Sequence, residues 1–467
     1  MQDYKFNYHL AKIVEKCLIL YYNINMNSYI GKFYHVVTYG CQMNVHESEK
    51  IRGILETLGM NEIDDIEKAN VVVFNTCCIR EGAEDRAYNN VMALRKWKEK
   101  NPDNVIVICG CMPQQKGGKY NLKSKLSFVD LIIGTHNINT IGQHLLTIAE
   151  NKKRIYEIVE SPSQPMDGMK CVRDDKTNAY VNIIYGCNKF CTYCIVPYVR
   201  GREKSRPMNE IYNEVKDLVQ NKGYKYITLL GQNVNSYGKD FEEKTSFSAL
   251  LKNLCKIEGD FKIKFMTSHP MDFSDDLINV MKNEDKVAKY LHLPVQSGSS
   301  AILHKMNRHY DSKHYMKIIK KVKRAIPSIS LSTDIIVGFP GETESDFNKT
   351  MKLIKKVKYD QVFAFMYSKR TGTPAAVFAD QVDEEVKNIR VNKLLRTQKI
   401  LQKDLLRKKI NKTFNCLIKF VNGVAVGITD GGREIYIPTY QYQNENYFAD
   451  VKVEDIRNHK LSGVIDE

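Results

Sequence analysis

The chain has no apolar run approaching the roughly 18 residues that crossing a bilayer requires. A membrane-spanning role is therefore excluded, and a membrane is not expected among its partners. The N-terminus offers only KCLILYY at residues 16–22, too short for a signal-peptide core with a clean cleavage site. Without a secretory signal, a disulfide framework is not expected either. Arg is absent from the first 25 residues, which argues against a mitochondrial transit peptide, and the expected location is the cytoplasm. The stretch upstream of Met26 is expected to be a disordered extension or the product of a misplaced start codon. Internal repeats and low-complexity tracts are also missing, which excludes solenoids and arrays.

What is present describes a globular chain of 467 residues, 43% apolar and 27% charged, long enough for two to four domains. The formal net charge is +16. Such a charge suits plain solubility or a polyanionic partner whose phosphates Lys and Arg would neutralise, and charge alone does not choose between these. Twelve cysteines occur. Clustered cysteines in an intracellular chain bind metal or do redox work more often than they pair.

The first segment alternates strand-like runs (Tyr34–Thr38, Val71–Phe74, Val105–Ile108, Val129–Ile133) with amphipathic helical patterns such as Ser48–Leu58 and Glu84–Lys98. This rhythm predicts a doubly wound parallel α/β domain. Its strands are apolar almost throughout, as expected when both sheet faces are covered. Residues 151–172 carry Pro, Ser and Gly without periodicity and read as a linker. Six further β-α units follow, with strands Tyr180–Tyr185, Tyr226–Leu230, Lys262–Met266, Tyr290–Leu293, Ser330–Val337 and Gln361–Met366. Helical patterns at Met208–Lys222, Phe273–Lys282, Ser312–Ala325 and Glu344–Val357 lie between them. The result is an open or partial (β/α)6 barrel, ended by a charged helix over Asp383–Lys409. The remainder, with short strands at Phe414–Phe420, Val424–Ile428, Glu434–Ile437 and Tyr447–Val451, reads as a small all-β barrel.

Cys187, Cys191 and Cys194 stand in YGCNKFCTYCIVPYVRG, directly after the first strand of the second domain. Three thiolates at spacings of four and three can hold one corner of a [4Fe–4S] cube. The remaining iron is left open, as catalytic metal sites keep a position for substrate. A zinc knuckle would want a fourth Cys or His nearby, and none follows at a plausible spacing. In the first domain Cys41 (TYGCQMN), Cys77 (FNTCCIRE) and Cys111 (ICGCMPQQ) end successive strands. Ligands gather at the carboxyl ends of strands in doubly wound sheets, so the three are expected to converge. Cys109 shares a strand face with Cys111 and remains a competitor at this point.

CxxxCxxC with an aromatic residue, Tyr193, before its last cysteine resembles the radical S-adenosylmethionine superfamily. The flanking VPYVRGREKSRP, together with TYGCQMN, HESEK, IREGAE, GCM and PQQ, resembles its methylthiotransferase family. LLGQNVNSYG, TSHPMDF, LHLPVQSGS, DIIVGFPGETE, MNRHYD and YSKRTGTPAA extend the match in order over residues 34 to about 410. The resemblance implies two [4Fe–4S] clusters and S-adenosylmethionine. Cys187, Cys191 and Cys194 are its catalytic and cluster-ligating residues, and Cys41, Cys77 and Cys111 hold the auxiliary cluster. The family alignment selects Cys77 and Cys111, leaving Cys78 and Cys109 as packing residues. Tyr193, Gln232, Asn233, Ser268, Gln296 and Asp334 are candidates for holding the cofactor at the C-terminal ends of the barrel strands. Arg308 and Arg370 are candidates for meeting phosphate or carboxylate.

The domains implied are an extension at 1–31, a methylthiotransferase N-terminal domain at 32–150, the linker at 151–172, a radical S-adenosylmethionine core at 173–406 and a TRAM-like RNA-binding barrel at 407–467. Lys419, Arg433 and the tyrosines of YIPTYQYQNENYF are the barrel's candidates for RNA contact. Gln42 and Met43 after the first cysteine favour the MiaB-type branch. A Lys-containing motif there marks the threonylcarbamoyladenosine branch, and a Pro–Lys variant the ribosomal-protein branch. The implied reaction is methylthiolation at C2 of N6-dimethylallyladenosine at position 37 of tRNA, beside the anticodon, using two molecules of S-adenosylmethionine. One methylates a sulfur on the auxiliary cluster. The other yields the radical that opens a C–H bond beyond the reach of acid–base chemistry. The implied partners are the tRNA anticodon loop, an electron donor such as flavodoxin or ferredoxin, and an iron–sulfur assembly or carrier protein. A monomer is expected.

Overall fold

The computed structural model describes residues 28–466 apart from 80–81, 119, 161–167, 422, 439–445 and 458–459. The chain forms two compact units, residues 1–173 with 198–200 and residues 174–197 with 201–467. Most of the N-terminal extension, including Cys17 and Met26, lies outside the described residues.

The first unit is built on a six-stranded parallel sheet of β1 (Phe33–Thr38), β2 (Asn61–Glu62), β3 (Val71–Thr76), β4 (Val105–Gly110), β5 (Leu131–Ile133) and β6 (Ile155–Glu157), ordered β2-β1-β3-β4-β5-β6. The alternation of side chains explains the continuous apolar runs. Val71 and Val73 pack on one face with Ile51, Leu55 and Leu145. Val72 and Phe74 pack on the other with Val91 and Trp97. Both faces are thus covered, as parallel sheets require.

Two short strands of this unit, β2 and β6, escaped the sequence reading. β6 falls inside the segment expected to be a linker. Only three residues long, with Ile155 its one packed apolar side chain, it offers too little pattern to be seen. The helix expected at Ser48–Leu58 runs instead over Gln42–Thr57, starting on Cys41. Its first turns are polar yet buried, with Asn44, His46, Glu47 and Glu49 turned inward, so hydrophobic periodicity could not mark them.

The second unit opens with β7 (Asn178–Asn182), and the chain then leaves the main ladder. β8 (Ile184–Tyr185) pairs with β9 (Lys204–Ser205) in a small antiparallel ribbon, so the expected strand Tyr180–Tyr185 is two strands. β10 (Tyr226–Leu230), β11 (Lys262–Phe265), β12 (Tyr290–His292), β13 (Ser330–Val337) and β14 (Gln361–Met366) follow. They form two parallel sheets, β11-β10-β7 and β12-β13-β14. An isolated bridge pairs Ile263 of β11 with Val287, just before β12. The six strands thus run in chain order as an open barrel. Its core holds Val181, Ile227, Leu229, Ile263, Leu291, Leu331 and Ile335.

The helix Glu384–Arg407 leads into five strands, β15 (Thr413–Val421), β16 (Val424–Thr429), β17 (Glu434–Ile437), β18 (Tyr447–Arg457) and β19 (Lys460–Ile465). They close into a barrel ordered β15-β16-β17-β19-β18 around Cys416, Ile418, Ile435, Val451, Val453 and Leu461. β19 was not foreseen. It pairs antiparallel with β18 and parallel with β17, and the two residues between Arg457 and Lys460 include no glycine or proline to announce a turn.

Candidate active site: two cysteine trios

In the first unit Cys41, Cys77 and Cys111 follow the C-terminal ends of β1, β3 and β4, strands that are neighbours in the sheet. Two glycines make the approach possible. Gly40 has φ +108, and a Cβ there would lie 2.6 Å from Cys77 Sγ. Gly110 has φ +97, and a Cβ there would lie 2.5 Å from the Thr76 carbonyl oxygen. This region is open to glycine and strained for other residues. The turn at Gly110 also separates the surroundings of Cys109 and Cys111. The strand ends there and Cys111 opens a helical turn, so strand alternation does not relate the two. Cys109 faces the apolar cluster of Val107 and Leu131.

Asn44 ties the strand ends together. Its Nδ2 donates to the Tyr39 and Thr76 carbonyls, both at 2.9 Å. Its Oδ1 accepts from Arg200 Nη2 at 2.8 Å. Arg200 lies within this unit and grips Glu47 through both carboxylate oxygens, at 2.6 and 3.1 Å. Burial raises the Cys41 thiol, and the Arg200 cation opposes that rise. A hydrogen bond from Cys78 pulls Cys111 down to about 7, against burial and with help from Arg200. Cys78, read from sequence as a packing residue, therefore touches a predicted ligand.

The donor set is three soft thiols at one sheet end, the chemistry that iron–sulfur clusters take. Among the described residues no group of three or more His, Cys, Asp or Glu side chains is drawn together closely enough to hold a metal ion.

In the second unit Cys187, Cys191 and Cys194 lie in the loop after β8. Gly186, at φ +67, lets the loop turn back so closely that a Cβ there would overlap the Arg202 carbonyl. Burial pushes Cys187 and Cys194 up to about 12, and each feels the charge of Cys191. A cation answers this cluster of thiols: Arg308 Nη1 donates to Cys191 Sγ at 3.3 Å and to Tyr193 Oη at 3.4 Å. Its Nε donates to Tyr310 Oη and its Nη2 to the Pro294 carbonyl. Arg308 is thus committed to the thiols and the loops around them, not held ready for phosphate. The Tyr193 ring packs with Ile302, Met306, Phe339 and Tyr367.

The remaining candidates lie beyond the C-terminal ends of β10, β11 and β12, and Asp334 lies within β13. Asn233 Oδ1, Ser268 Oγ and Gln296 Oε1 are buried without a protein partner, as is His269 Nε2, which sequence reasoning missed. Buried polar atoms are rarely left unpaired, so this group fits a polar ligand such as S-adenosylmethionine. Gln296 adopts φ +67, the kind of strained backbone that collects at functional sites. Asp334 stands 3.5 Å from His292 Nε2, and Gln232 is half-buried. Asp272 braces the loops, accepting from Asn233 Nδ2 at 2.7 Å and pairing with Lys189 and Lys239 at 2.7 and 2.6 Å. Asp272 and Lys189 were also missed, because paired charges in loops resemble a solvated surface.

Residues 181–354 match the radical SAM superfamily and residues 33–134 match the uncharacterized protein family UPF0004. A tRNA-2-methylthio-N(6)-dimethylallyladenosine synthase of Clostridium tetani is 50% identical over 365 residues, 78% of this chain and 80% of that one. A synthase of the same name from Thermoanaerobacter sp. (strain X514) is 51% identical over 366 residues, 78% of each chain. The chain belongs to the tRNA methylthiotransferase family of radical S-adenosylmethionine enzymes.

As a member of that family, this methylthiotransferase uses S-adenosylmethionine and [4Fe–4S] clusters. Its fold is also that of a radical S-adenosylmethionine methyltransferase, TsrM from Kitasatospora setae, with a TM-score of 0.55 at 11% identity over 74% of this chain and 77% of that one. Among the described residues no helix is long and apolar enough to cross a membrane. In the small barrel, Lys419 and Arg433 face core carboxylates, Asp175 at 3.7 Å and Asp360 at 3.9 Å. Tyr440 and Tyr442 lie outside the described residues.

Proposed function

We propose that this methylthiotransferase inserts a methylthio group at C2 of N6-dimethylallyladenosine at position 37 of tRNA. One observation carries the reading. Two trios of thiols, one at the ends of neighbouring parallel strands and one in the loop after β8, occur in a chain 50% identical to a synthase named for that product.

Cys187, Cys191 and Cys194 hold the cluster that meets S-adenosylmethionine, and Cys41, Cys77 and Cys111 hold the auxiliary one. When bound, the clusters supply the electron that breaks a carbon–sulfur bond of S-adenosylmethionine and the sulfur that is transferred. The chain's own residues bind and orient. Arg308 fixes the Cys191 sulfur and the loop after β12. Asn233, Ser268, His269 and Gln296 present their unpaired atoms to the amino-acid and nucleoside ends of the cofactor, with Gln232, Asp334 and Tyr193 nearby. Burial of the thiols excludes water. The target base must leave the anticodon-loop stack to reach such a site, and the small barrel is the natural module to hold the RNA. The enzyme acts as a cytoplasmic monomer supplied by a flavodoxin- or ferredoxin-like reductant and an iron–sulfur carrier.

Nucleoside mass spectrometry of tRNA from cells with and without the gene tests the substrate. Loss of the methylthio nucleoside with accumulation of its unthiolated precursor is the expected result. An unchanged nucleoside would move the threonylcarbamoyladenosine and ribosomal-protein branches to the front. In the purified enzyme, Cys191→Ala should abolish cofactor cleavage while retaining roughly half of about eight irons. Cleavage that survives the substitution would refute the assignment of that trio.

A further inference from the structure

We infer that Arg200 is the positioning and charge-compensating group of the auxiliary cluster. This rests on the assignment of that cluster to Cys41, Cys77 and Cys111, and it goes beyond the assignment by naming what sets the cluster's potential.

Arg200 is 7% exposed, and its guanidinium is held by three hydrogen bonds to Glu47 and Asn44. A buried ion pair of this kind gains little net stability over apolar packing, because removing both charges from water costs several kcal/mol. A second reason for its presence lies beside it. Arg200 and Cys41 share one acceptor, since Asn44 Oδ1 takes the Arg200 Nη2 hydrogen bond at 2.8 Å. Asn44, its third contact, also accepts from Cys41 Sγ at 3.6 Å. His136 lies near the same pair, its protonation disfavoured by burial and by Arg200.

With Glu47 cancelling one charge, the pair is neutral overall but directional. Bidentate geometry fixes the plane of the guanidinium, and Asn44 fixes its rotation. A cluster held by three thiolates is anionic, and adding an electron makes it more so. A fixed cation one residue from the Cys41 ligand stabilises the reduced form, since net charge and hydrogen bonds around sulfur are what tune such potentials.

The experiment uses the full-length chain reconstituted with iron and sulfide in a Cys187→Ala, Cys191→Ala, Cys194→Ala background, so that the auxiliary cluster alone is seen. Iron content and a spectroscopically monitored redox titration are read for Arg200, Arg200→Met and Arg200→Lys. Expected is a cluster in Arg200→Met that is at least tenfold harder to reduce, a midpoint lower by about 59 mV for one electron, with recovery in Arg200→Lys. A cluster that loads only when residue 200 is cationic also supports the inference. Loading of Arg200→Met at an unchanged potential overturns it. Failure of both variants to load overturns it too, making Arg200 a packing brace. If the Arg200 parent itself takes up no cluster, the assignment to Cys41, Cys77 and Cys111 falls, and the inference with it.

Discussion

Asp430 accepts the backbone N–H of Lys289 through Oδ2 at 2.8 Å. Its other oxygen accepts from Tyr226 Oη at 3.2 Å and Lys262 Nζ at 3.1 Å. One carboxylate at the turn between β16 and β17 thus takes donors from the N-terminal ends of β10, β11 and β12, opposite the strand ends that carry chemistry. Gly431 beside it fits closely, since a Cβ there would lie 2.7 Å from Ser330 Oγ. Asp430→Ala leaves Lys262 without its partner. It should cost about 2 kcal/mol, read as a lower urea midpoint. It should also raise KM for tRNA with cofactor cleavage unchanged. An unchanged KM would remove any role for this contact in RNA binding.

Gly110 is the residue whose left-handed backbone turns the chain from β4 into Cys111. Gly110→Ala combines strain with overlap on the Thr76 carbonyl, and about 1–3 kcal/mol is expected from the backbone alone. The auxiliary iron should fall with it, while the iron bound by Cys187, Cys191 and Cys194 stays. Full iron content in a well-folded variant would show that this turn is not needed to place Cys111.

His269 Nδ1 accepts from the Met271 N–H at 3.2 Å, which assigns the ring proton to Nε2, the atom without a protein partner. Burial, helped by Arg308, Lys189 and other nearby cations, holds its pKa far below the usual histidine range. The ring is therefore a neutral donor at working pH. His269→Phe should weaken S-adenosylmethionine binding about tenfold, equivalent to 1.4 kcal/mol, in equilibrium dialysis. His269→Gln, which keeps a donor, should recover part of the loss. Equal affinity in all three proteins would sink the idea.

Glu342 accepts from Gly338 N–H at 2.7 Å and Arg390 Nη1 at 2.9 Å, yet burial pushes its carboxyl up to about 7 from 4.5. The folded state therefore binds this proton more tightly than the unfolded one. Its contribution to stability is complete below about pH 4.5 and fades as pH rises through 7. Glu342→Gln should flatten that slope in denaturant unfolding between pH 5 and 7.5. A wild-type slope in the variant would place the titration elsewhere.

Much of this enzyme was legible in the chain itself. Ser330–Val337, Ser312–Ala325 and Glu344–Val357 begin and end where periodicity and caps put them, because each is a long amphipathic or fully apolar segment. The positions of Cys41, Cys77 and Cys111 after strands β1, β3 and β4 were legible too, since a thiol following an apolar run is a sequence pattern as much as a spatial one. The residues that serve those thiols were not. Asn44, Glu47 and Arg200 are polar residues on a helix turn and a loop, and periodicity assigns such residues to solvent. Only the fold buries them together. The glutamate and the arginine lie 153 positions apart, and no local rule pairs residues so distant. Sequence determined which elements form and which side chains can bind iron. Tertiary structure alone decided which charges stand beside the sulfur, because buried electrostatics depends on distance in space and on the exclusion of water.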